Sequence, residues 1–215
     1  MENSLRLFAV FLSTFGVVFA IIDPFGYVPI FLAMTSSNSE EQRRYMLKKA
    51  CVTAFLVLAI STFLGQQVLE FFGISIPALQ ISGGLLLLVI SFEMLKVIPV
   101  VEKLTPFEEN EGREKEDISI IPLAIPMLSG PASIASVVVL TSKAQETSEQ
   151  PWMTYVAILI SVWITLLFTY FVLRSATKLF KFVGATGLNV ITRIMGLLLS
   201  AMAIQFLING YVAVK

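Results

Sequence analysis

Long apolar runs separated by short polar segments dominate this chain. Six runs, at about 5–34, 49–70, 78–98, 118–140, 152–173 and 190–212, approach the roughly 20 apolar residues that a membrane-spanning helix needs. The pattern predicts an all-α membrane protein with six transmembrane helices. Helix-breaking residues interrupt the first and fourth runs at 23–26 and 126–131. We therefore expect helices 1 and 4 to be broken or re-entrant near the bilayer midplane.

Basic residues alternate between the connections. The 2–3 loop has no lysine or arginine and the 4–5 loop has only Lys143, whereas the other three loops are basic, with Arg43, Arg44, Lys48, Lys49, Lys96, Lys103, Arg113, Lys115, Arg174, Lys178 and Lys181. Because basic loops stay in the cytoplasm, this alternation predicts a multi-pass protein of the cell (inner) membrane with both termini outside the cytoplasm.

A charged segment divides the six runs into two sets of three. It predicts a first three-helix repeat at 1–99, a cytoplasmic linker at 100–117 and a second repeat at 118–215. An odd number of spans per half inverts the second half, and weak internal similarities agree with a duplication. At a shift of 106, residues 23–25 pair with 129–131 and 35–36 with 141–142. At a shift of 112, residue 84 pairs with 196 and residue 93 with 205. The segments 71–73 and 182–184 are also alike.

Composition narrows the class of function. The chain is 56% hydrophobic and 14% charged, too apolar for a soluble domain, and its net charge of zero gives no sign of a nucleic-acid partner. It has no histidine and one cysteine, Cys51, in an apolar run. The commonest general base and metal ligand are therefore missing, so we expect no enzyme, no metal and no cofactor. An intramembrane enzyme using Ser129 would need a base, and none lies nearby in sequence.

The first interruption places an acid inside an apolar run. Asp23 there costs about 3 kcal/mol on membrane-insertion scales, Pro24 lacks an N–H, and Gly26 permits unusual dihedral angles. The freed backbone groups cannot face lipid, so this break faces protein or a wet cavity. Two compatible interpretations remain: Asp23 caps the segment that begins at Pro24, or Asp23 takes part in substrate binding and ion coupling. The flanking Phe25 and Tyr27 belong to the same candidate site.

The second interruption lacks a charge. Ser129 is placed to cap the following half-helix, Gly130 lets a ligand approach the backbone, and Pro131 and Ser133 begin the next helical run. Two half-helix N-termini pointing inward would offer free N–H groups to a carboxylate. An aspartate in one break and a serine in the other favour a zwitterion or a coupling cation over a simple anion.

Three further polar residues are secondary candidates. Glu93 lies near Lys96 at a predicted cytoplasmic helix end, and Arg193 lies near the cytoplasmic start of the last run. Both positions also suit simple interfacial side chains, with Arg193 alternatively a counter-charge to Asp23 or to a substrate carboxylate. Gln205 pairs with Glu93 in the internal alignment.

Four stretches, 23–32, 73–84, 121–131 and 191–196 with 205–210, resemble the MarC family over essentially the whole chain. The resemblance implies a six-helix inner-membrane protein that transports small neutral amino acids such as glycine and alanine. Separately, we expect a proton or sodium ion as coupling partner, and a homo-oligomer is compatible with the sequence. Related breaks commonly carry Asn or Gly where this chain has Tyr27, and Gly where it has Ala132, so a bulkier Tyr27 is expected to narrow the site or change substrate preference. A membrane assembly or resistance-related factor without transport is the alternative function.

Overall fold

The computed structural model describes residues 2–36, 38–95, 119–147 and 151–214, and these residues form helices and turns without any strand. The helices are α1 (Glu2–Ile22), α2 (Tyr27–Met34), α3 (Glu40–Phe71), α4 (Ile76–Leu95), α5 (Ser119–Leu128), α6 (Pro131–Thr147), α7 (Pro151–Arg174) and α8 (Ala176–Val214). The α5 segment is wound as a π-helix. The all-helical class is therefore as predicted.

Four helices are long and apolar enough to cross a membrane, namely α3, α4, Trp152–Arg174 of α7, and α8. The pair Thr14–Ile22 and Tyr27–Met34, bent by 42° at its break, makes a fifth candidate if it is counted as one span. Where the sequence predicts a span over 118–140, the chain forms α5 and then the shorter apolar helix Pro131–Ser142. The predicted linker at 100–117 lies outside the described residues.

The polar connection between α2 and α3 is fixed by local hydrogen bonds. The Ser39 hydroxyl accepts from the Gln42 amide at 3.2 Å, and the Gln42 side-chain oxygen accepts from the Ser39 amide at 2.8 Å. This reciprocal capping box begins α3 well before its apolar run. Arg43 donates to the Thr35 carbonyl at 2.9 and 2.6 Å and so closes the end of α2.

Two glycines adopt left-handed backbone conformations at corresponding places. Gly73 (φ 67°) precedes α4, and Gly184 (φ 71°) interrupts α8 with a non-helical kink. A side chain is disfavoured at both positions because the left-handed region brings Cβ too close to the following carbonyl. The kink separates the segment 176–183 from the long apolar remainder of α8, so the last span follows a glycine just as α4 does.

Helices α4 and α8 pack closely and antiparallel through glycines. A Cβ added to Gly84 would lie 3.0 Å from both the Ala203 carbonyl oxygen and the Leu207 side chain. A Cβ added to Gly196 would lie 3.2 Å from the Ser91 carbonyl oxygen and 3.3 Å from Leu95. A shift of 112 relates Gly84 to Gly196, Ser91 to Ala203 and Leu95 to Leu207. The contacts that Gly84 of α4 makes with α8 are therefore repeated by the contacts that Gly196 of α8 makes with α4. The absence of a side chain at these two glycines therefore allows the helix backbones to approach closely.

The other contacts fix the relative directions of the helices. The Ser161 hydroxyl of α7 donates to the Phe11 carbonyl of α1 at 3.3 Å, and Phe19 contacts Phe168 with ring centroids 5.3 Å apart, so α1 and α7 run parallel. Phe63 stacks on Tyr155 at 5.6 Å while Cys51 of α3 lies 3.7 Å from the Leu166 carbonyl, so α3 and α7 run antiparallel. These directions agree with an alternating path through a bilayer.

The interrupted helices lie at the centre of this arrangement. One buried cluster joins side chains from both breaks to α3 and α7, including Val28, Phe31, Leu123, Leu128, Val137 and Ile158. Large apolar side chains on the outward faces of α3, α7 and α8 are exposed, among them Leu56, Ile60, Trp163, Phe171, Leu197 and Ile208. Lipid-facing helices have this distribution, with an apolar exterior around a packed centre.

Candidate functional site

The first break is built around an unusual backbone conformation at Asp23. Its φ of 37° lies in the left-handed region, which aspartate tolerates better than most residues with a Cβ. The Asp23 amide still donates to the Phe19 carbonyl at 3.0 Å, so α1 is complete up to this residue. Residues 24–26 then form a turn that leads into α2. The helix axis therefore changes direction at the acidic residue.

The Asp23 carboxylate folds over this turn and accepts hydrogen bonds from the backbone amides of Phe25 and Gly26. Amides at the start of a helical segment have no intrahelical acceptor, and a carboxylate satisfies them. Asp23 thus has the capping contacts that one interpretation of the sequence required. The two occupied amides belong to the turn before α2, whose own first residue is Tyr27 and which has no side-chain cap.

The other carboxylate oxygen of Asp23, Oδ1, differs in its hydrogen bonding. Asp23 is only 7% exposed, and its Oδ1 has no hydrogen-bond partner within the described part of the chain. A buried polar atom without a partner is costly, and such atoms are few in folded proteins. Oδ1 is therefore a buried acceptor beside the break, available to a donor that the described residues do not supply.

Gly26 is required by the position of that carboxylate. A Cβ added to Gly26 would overlap Oδ2 of Asp23 and would lie 2.9 Å from its Cγ. The Gly26 backbone itself is ordinary, with φ −62° and ψ −30°. The need for glycine is therefore steric, because any side chain would displace the Asp23 carboxylate from the turn.

The second break opens where α5 ends. The backbone amide and the hydroxyl of Ser129 both donate to the Ala124 carbonyl at 2.9 Å. The Gly130 carbonyl accepts from the Ile134 amide at 3.0 Å, which makes Gly130 the residue before the first turn of α6. The expectation that Ser129 caps α6 is therefore wrong: its hydroxyl closes the preceding helix, because the π-type turn brings the Ala124 carbonyl within reach.

A hydrogen bond joins the two breaks. The Tyr27 hydroxyl, on the first residue of α2, donates to the Met127 main-chain carbonyl, near the end of α5, at 2.9 Å. Met127 also packs against Met34 and Met46. The structure thus brings 23–27 and 127–130 together, although 100 residues separate the two bonded residues in sequence.

An aromatic residue of α7 covers the first break. Phe168 contacts Phe19 at 5.3 Å and Phe25 at 5.9 Å between ring centroids, both edge to face. Sequence reasoning missed Phe168 and Met127. Phe168 is one of many aromatic residues in an apolar run, and Met127 contributes a main-chain atom that has no side-chain signature. The only sequence signal for Met127 is its place two residues before Ser129.

The remaining candidates divide into two groups. Pro24, Ser129 and Ser133 are buried at the breaks, Phe25, Gly26, Tyr27 and Gly130 are half-buried, and Pro131 is exposed. Of the secondary candidates, Glu93 is half-buried on α4, while Arg193 and Gln205 are exposed on α8. Gln205 donates along its own helix to Asn209 at 2.8 Å. The structure therefore does not place Arg193 or Gln205 in the buried site with Asp23.

The arrangement offers donors and acceptors but no metal-binding cluster. Within the described ranges, no group of three or more His, Cys, Asp or Glu side chains is placed to hold a metal ion. The acceptors are Asp23 Oδ1 and the main-chain carbonyls at the end of α5, and the donors are the first-turn amides of α6. Such a site suits a small ligand that carries both charges.

Comparisons with known proteins agree on one family. A family model described as "MarC family integral membrane protein" matches residues 8–214. The chain is 36% identical over 200 residues to a UPF0056 membrane protein of Methanocaldococcus jannaschii, covering 93% of this chain and 95% of that protein. It is 34% identical over 203 residues to the UPF0056 membrane protein YhcE of Escherichia coli, covering 94% and 92% respectively. It is 32% identical over 205 residues to YvbG of Bacillus subtilis, covering 95% of each.

No solved structure matches this chain. The family match extends over both breaks and every candidate span, and the relatives are matched over nearly their whole length. The resemblance of the four sequence stretches is therefore confirmed. This chain belongs to the MarC family of integral membrane proteins.

Proposed function

We propose that this protein transports small neutral amino acids, of the size of glycine or alanine, and holds its substrate between the two breaks. The observation that carries the proposal is the 2.9 Å hydrogen bond from Tyr27 to the Met127 carbonyl, which joins two interrupted helices beside a buried carboxylate. Interrupted helices at corresponding places in two halves are typical of transporter sites, because unwound backbone can coordinate a ligand inside the membrane.

The distribution of charge supports a zwitterionic ligand. At the first break, the Asp23 carboxylate already accepts from the amides of Phe25 and Gly26, whereas at the second break the Ser129 hydroxyl donates to the Ala124 carbonyl of α5. A substrate carboxylate would therefore bind at the start of α6, where the helix dipole and free amides favour an anion. The unpartnered Asp23 Oδ1 nearby in the same pair of breaks supplies an acceptor for a positive group or a coupling ion.

The size limit follows from the side chains beside the break. Phe25, Tyr27 and Phe168 are bulky, and Phe25 and Phe168 are in ring contact. A ligand with a short side chain fits next to such residues with less displacement than a long or branched one. This favours glycine and alanine over larger neutral amino acids.

We also propose that the chain is a six-span inverted repeat. Support comes from the α4–α8 glycine contacts that repeat at a shift of 112, and from the left-handed glycines Gly73 and Gly184. At a shift of 106, the Thr35 hydroxyl donates to Phe31 and the Thr141 hydroxyl to Val137, each at 2.7 Å. Two packed halves of this kind can rock about a fixed central site, which is the basis of alternating access. The proposed location is the inner membrane, with the termini outside and Asp23 coupling a proton or sodium ion.

A thermal-shift panel tests the substrate class. The purified protein would be melted with glycine, alanine, serine, leucine, lysine and glutamate. A ligand at 100 times its Kd stabilises the folded state by about 2.7 kcal/mol, so the small neutral amino acids should raise the Tm by several degrees and the others should not. If none of the six raises the Tm, the transport proposal fails and a membrane factor without transport becomes the better account.

A further inference from the structure

The Met127 carbonyl occupies a special position in the backbone. It belongs to the second-last residue of α5, and the last four carbonyls of a helix have no intrahelical donor. The residue four positions on, whose amide would continue an α-helix, is Pro131, which has no N–H, and the Ser129 amide donates to the Ala124 carbonyl. The Met127 carbonyl therefore takes its donor from another helix, through the Tyr27 hydroxyl at 2.9 Å.

This carbonyl is also electrostatically suited to a cation. The C-terminal end of a helix carries partial negative charge, and the N-terminal end of the following helix carries partial positive charge. Only residues 129 and 130 separate the end of α5 from the start of α6, so these opposite partial charges lie at the same break. An α-amino acid carries its ammonium and its carboxylate on the same carbon, and such a pair matches this arrangement in one orientation.

The Tyr27 hydroxyl is the same kind of donor as an ammonium N–H, but a weaker one. Hydrogen bonds from a charged donor are shorter and roughly twice as strong as those from a neutral donor. An ammonium group is therefore able to displace the hydroxyl from this carbonyl. The tyrosine ring packs against the central buried cluster, and this packing does not depend on the hydroxyl.

We propose that the Met127 carbonyl is the acceptor for the ammonium group of the substrate, and that the Tyr27 hydroxyl occupies this acceptor when the site is empty. The inference rests on the proposed function and assigns one end of its substrate. It makes Tyr27 a determinant of affinity: every ligand that uses the carbonyl must first break the Tyr27 hydrogen bond. A ligand with no N–H cannot make that exchange.

Titration calorimetry on the purified full-length protein tests the competition. Glycine and N,N,N-trimethylglycine would be titrated into the wild type, Tyr27→Phe and the matched control Tyr45→Phe, which removes the hydroxyl of an exposed tyrosine on α3. Because a hydrogen bond contributes about 0.5–1.5 kcal/mol, we expect Tyr27→Phe to lower the glycine Kd roughly two- to tenfold. Tyr45→Phe should leave it unchanged, and the ratio of the trimethylglycine Kd to the glycine Kd should rise in Tyr27→Phe.

An unchanged or raised glycine Kd in Tyr27→Phe would overturn the inference while leaving the proposed function standing, because the wild type would still bind glycine. If the wild type binds no glycine, the proposed function itself fails. The two failures are therefore distinguishable in one set of titrations.

A second measurement reads the acceptor without changing Tyr27. Protein labelled with carbonyl-¹³C methionine would be saturated with ¹⁵N-glycine and examined by solid-state NMR dipolar recoupling. The chain has eight methionines, so Met127→Leu identifies the signal by removing one label while keeping a similar side chain. We expect ¹⁵N-dependent dephasing in the wild type that is absent in Met127→Leu. Dephasing that persists in that variant, or none in glycine-saturated wild type, would contradict the assignment.

Discussion

Asp23 accepts hydrogen bonds from two backbone amides, while its Oδ1 is buried with no partner among the residues that the structure describes. The hydrogen bonds from the two amides stabilise the turn. The unpaired Oδ1 does not, because a buried acceptor without a donor costs free energy. The residue is also held at a positive φ, a conformation that costs free energy for a side chain with a Cβ. Capping alone would need neither feature, so we interpret the free oxygen as the functional one.

Asp23→Asn separates the two roles. Asparagine keeps an oxygen for the amides of Phe25 and Gly26 and is as good a cap as aspartate, so the Tm should change little. It removes the negative charge, so transport should fall at least about tenfold, equivalent to roughly 1.4 kcal/mol, and lose its ion dependence. Uptake assays with and without ion gradients, alongside thermal melts, measure both effects. Full transport with unchanged ion dependence would remove Asp23 from the mechanism.

Gly26→Ala tests the steric fit of the turn. The new methyl group would overlap the Asp23 carboxylate, so we expect loss of substrate binding and a destabilisation of about 1–3 kcal/mol from the forced displacement. Gly16→Ala is the matched control, because a Cβ there meets nothing within 4 Å and alanine favours the helix by about 0.5–1 kcal/mol. Equal melting temperatures and equal glycine binding in the two variants would show that the Gly26 turn is not constrained.

At the scale of elements, the helices were predicted best where a long apolar run coincides with one helix. The runs at 78–98 and 152–173 correspond to α4 and α7. The run at 49–70 underestimates α3, because its first turns are polar and are held by the Ser39 capping box instead of by burial. Apolar periodicity carries no information about such a start.

Helices end at Ile22 and Leu128, within or next to the predicted interruptions, but the local geometry there was not predicted. The prolines of 121–131 indicated a break, yet the π-helical winding of α5 and the backward hydrogen bond of Ser129 depend on where the Ala124 carbonyl lies. The kink at Gly184 was visible only as a likeness between 71–73 and 182–184. At the candidate site, Asp23, Gly26 and Tyr27 were proposed from residue type, whereas Met127 and Phe168 are brought beside them by tertiary packing.

The α4–α8 contact predicts matched effects in the two halves. Gly84→Ala and Gly196→Ala each place a methyl group against a backbone carbonyl that cannot move aside easily. We expect each to lower the free energy of unfolding by about 1–3 kcal/mol, as overpacked sites do. Thermal or denaturant unfolding in detergent measures it, with Gly16→Ala again as the control. If either variant is as stable as Gly16→Ala, the close approach of these helices is wrong.

The two left-handed glycines predict a different response. A Cβ on Gly73 or Gly184 meets nothing within 4 Å, so any penalty there is conformational and not steric. Alanine should cost about 1–2 kcal/mol at Gly73, while asparagine, which visits positive φ more readily, should cost less there. At Gly184 the ψ of 172° lies in a region that is essentially restricted to glycine, so alanine and asparagine should both cost about 1–3 kcal/mol. The same unfolding assay ranks the variants, and a variant of Gly184 as stable as Gly16→Ala would contradict this backbone conformation.

For the whole molecule, helix directions can be tested against the charge pattern. Parallel α1 and α7, together with antiparallel α3 and α7, agree with an alternating path through the membrane, and the basic connections predict which side faces the cytoplasm. In a Cys51→Ser background, single cysteines at Ser39 and Lys178 should resist a membrane-impermeant maleimide in intact cells, and one at Phe72 should react. Reaction of the first two, with protection of Phe72, would invert the proposed topology.

We propose that this protein transports a small neutral amino acid across the membrane and binds it between the two breaks. Uptake of radiolabelled glycine and alanine into proteoliposomes, with and without a proton or sodium gradient, tests it most directly. We expect saturable uptake that exceeds the uptake by empty liposomes and rises with one of the two gradients. Gly26→Ala should lose this uptake, whereas Gly16→Ala should keep it. Uptake equal to that of protein-free liposomes under every gradient would contradict it.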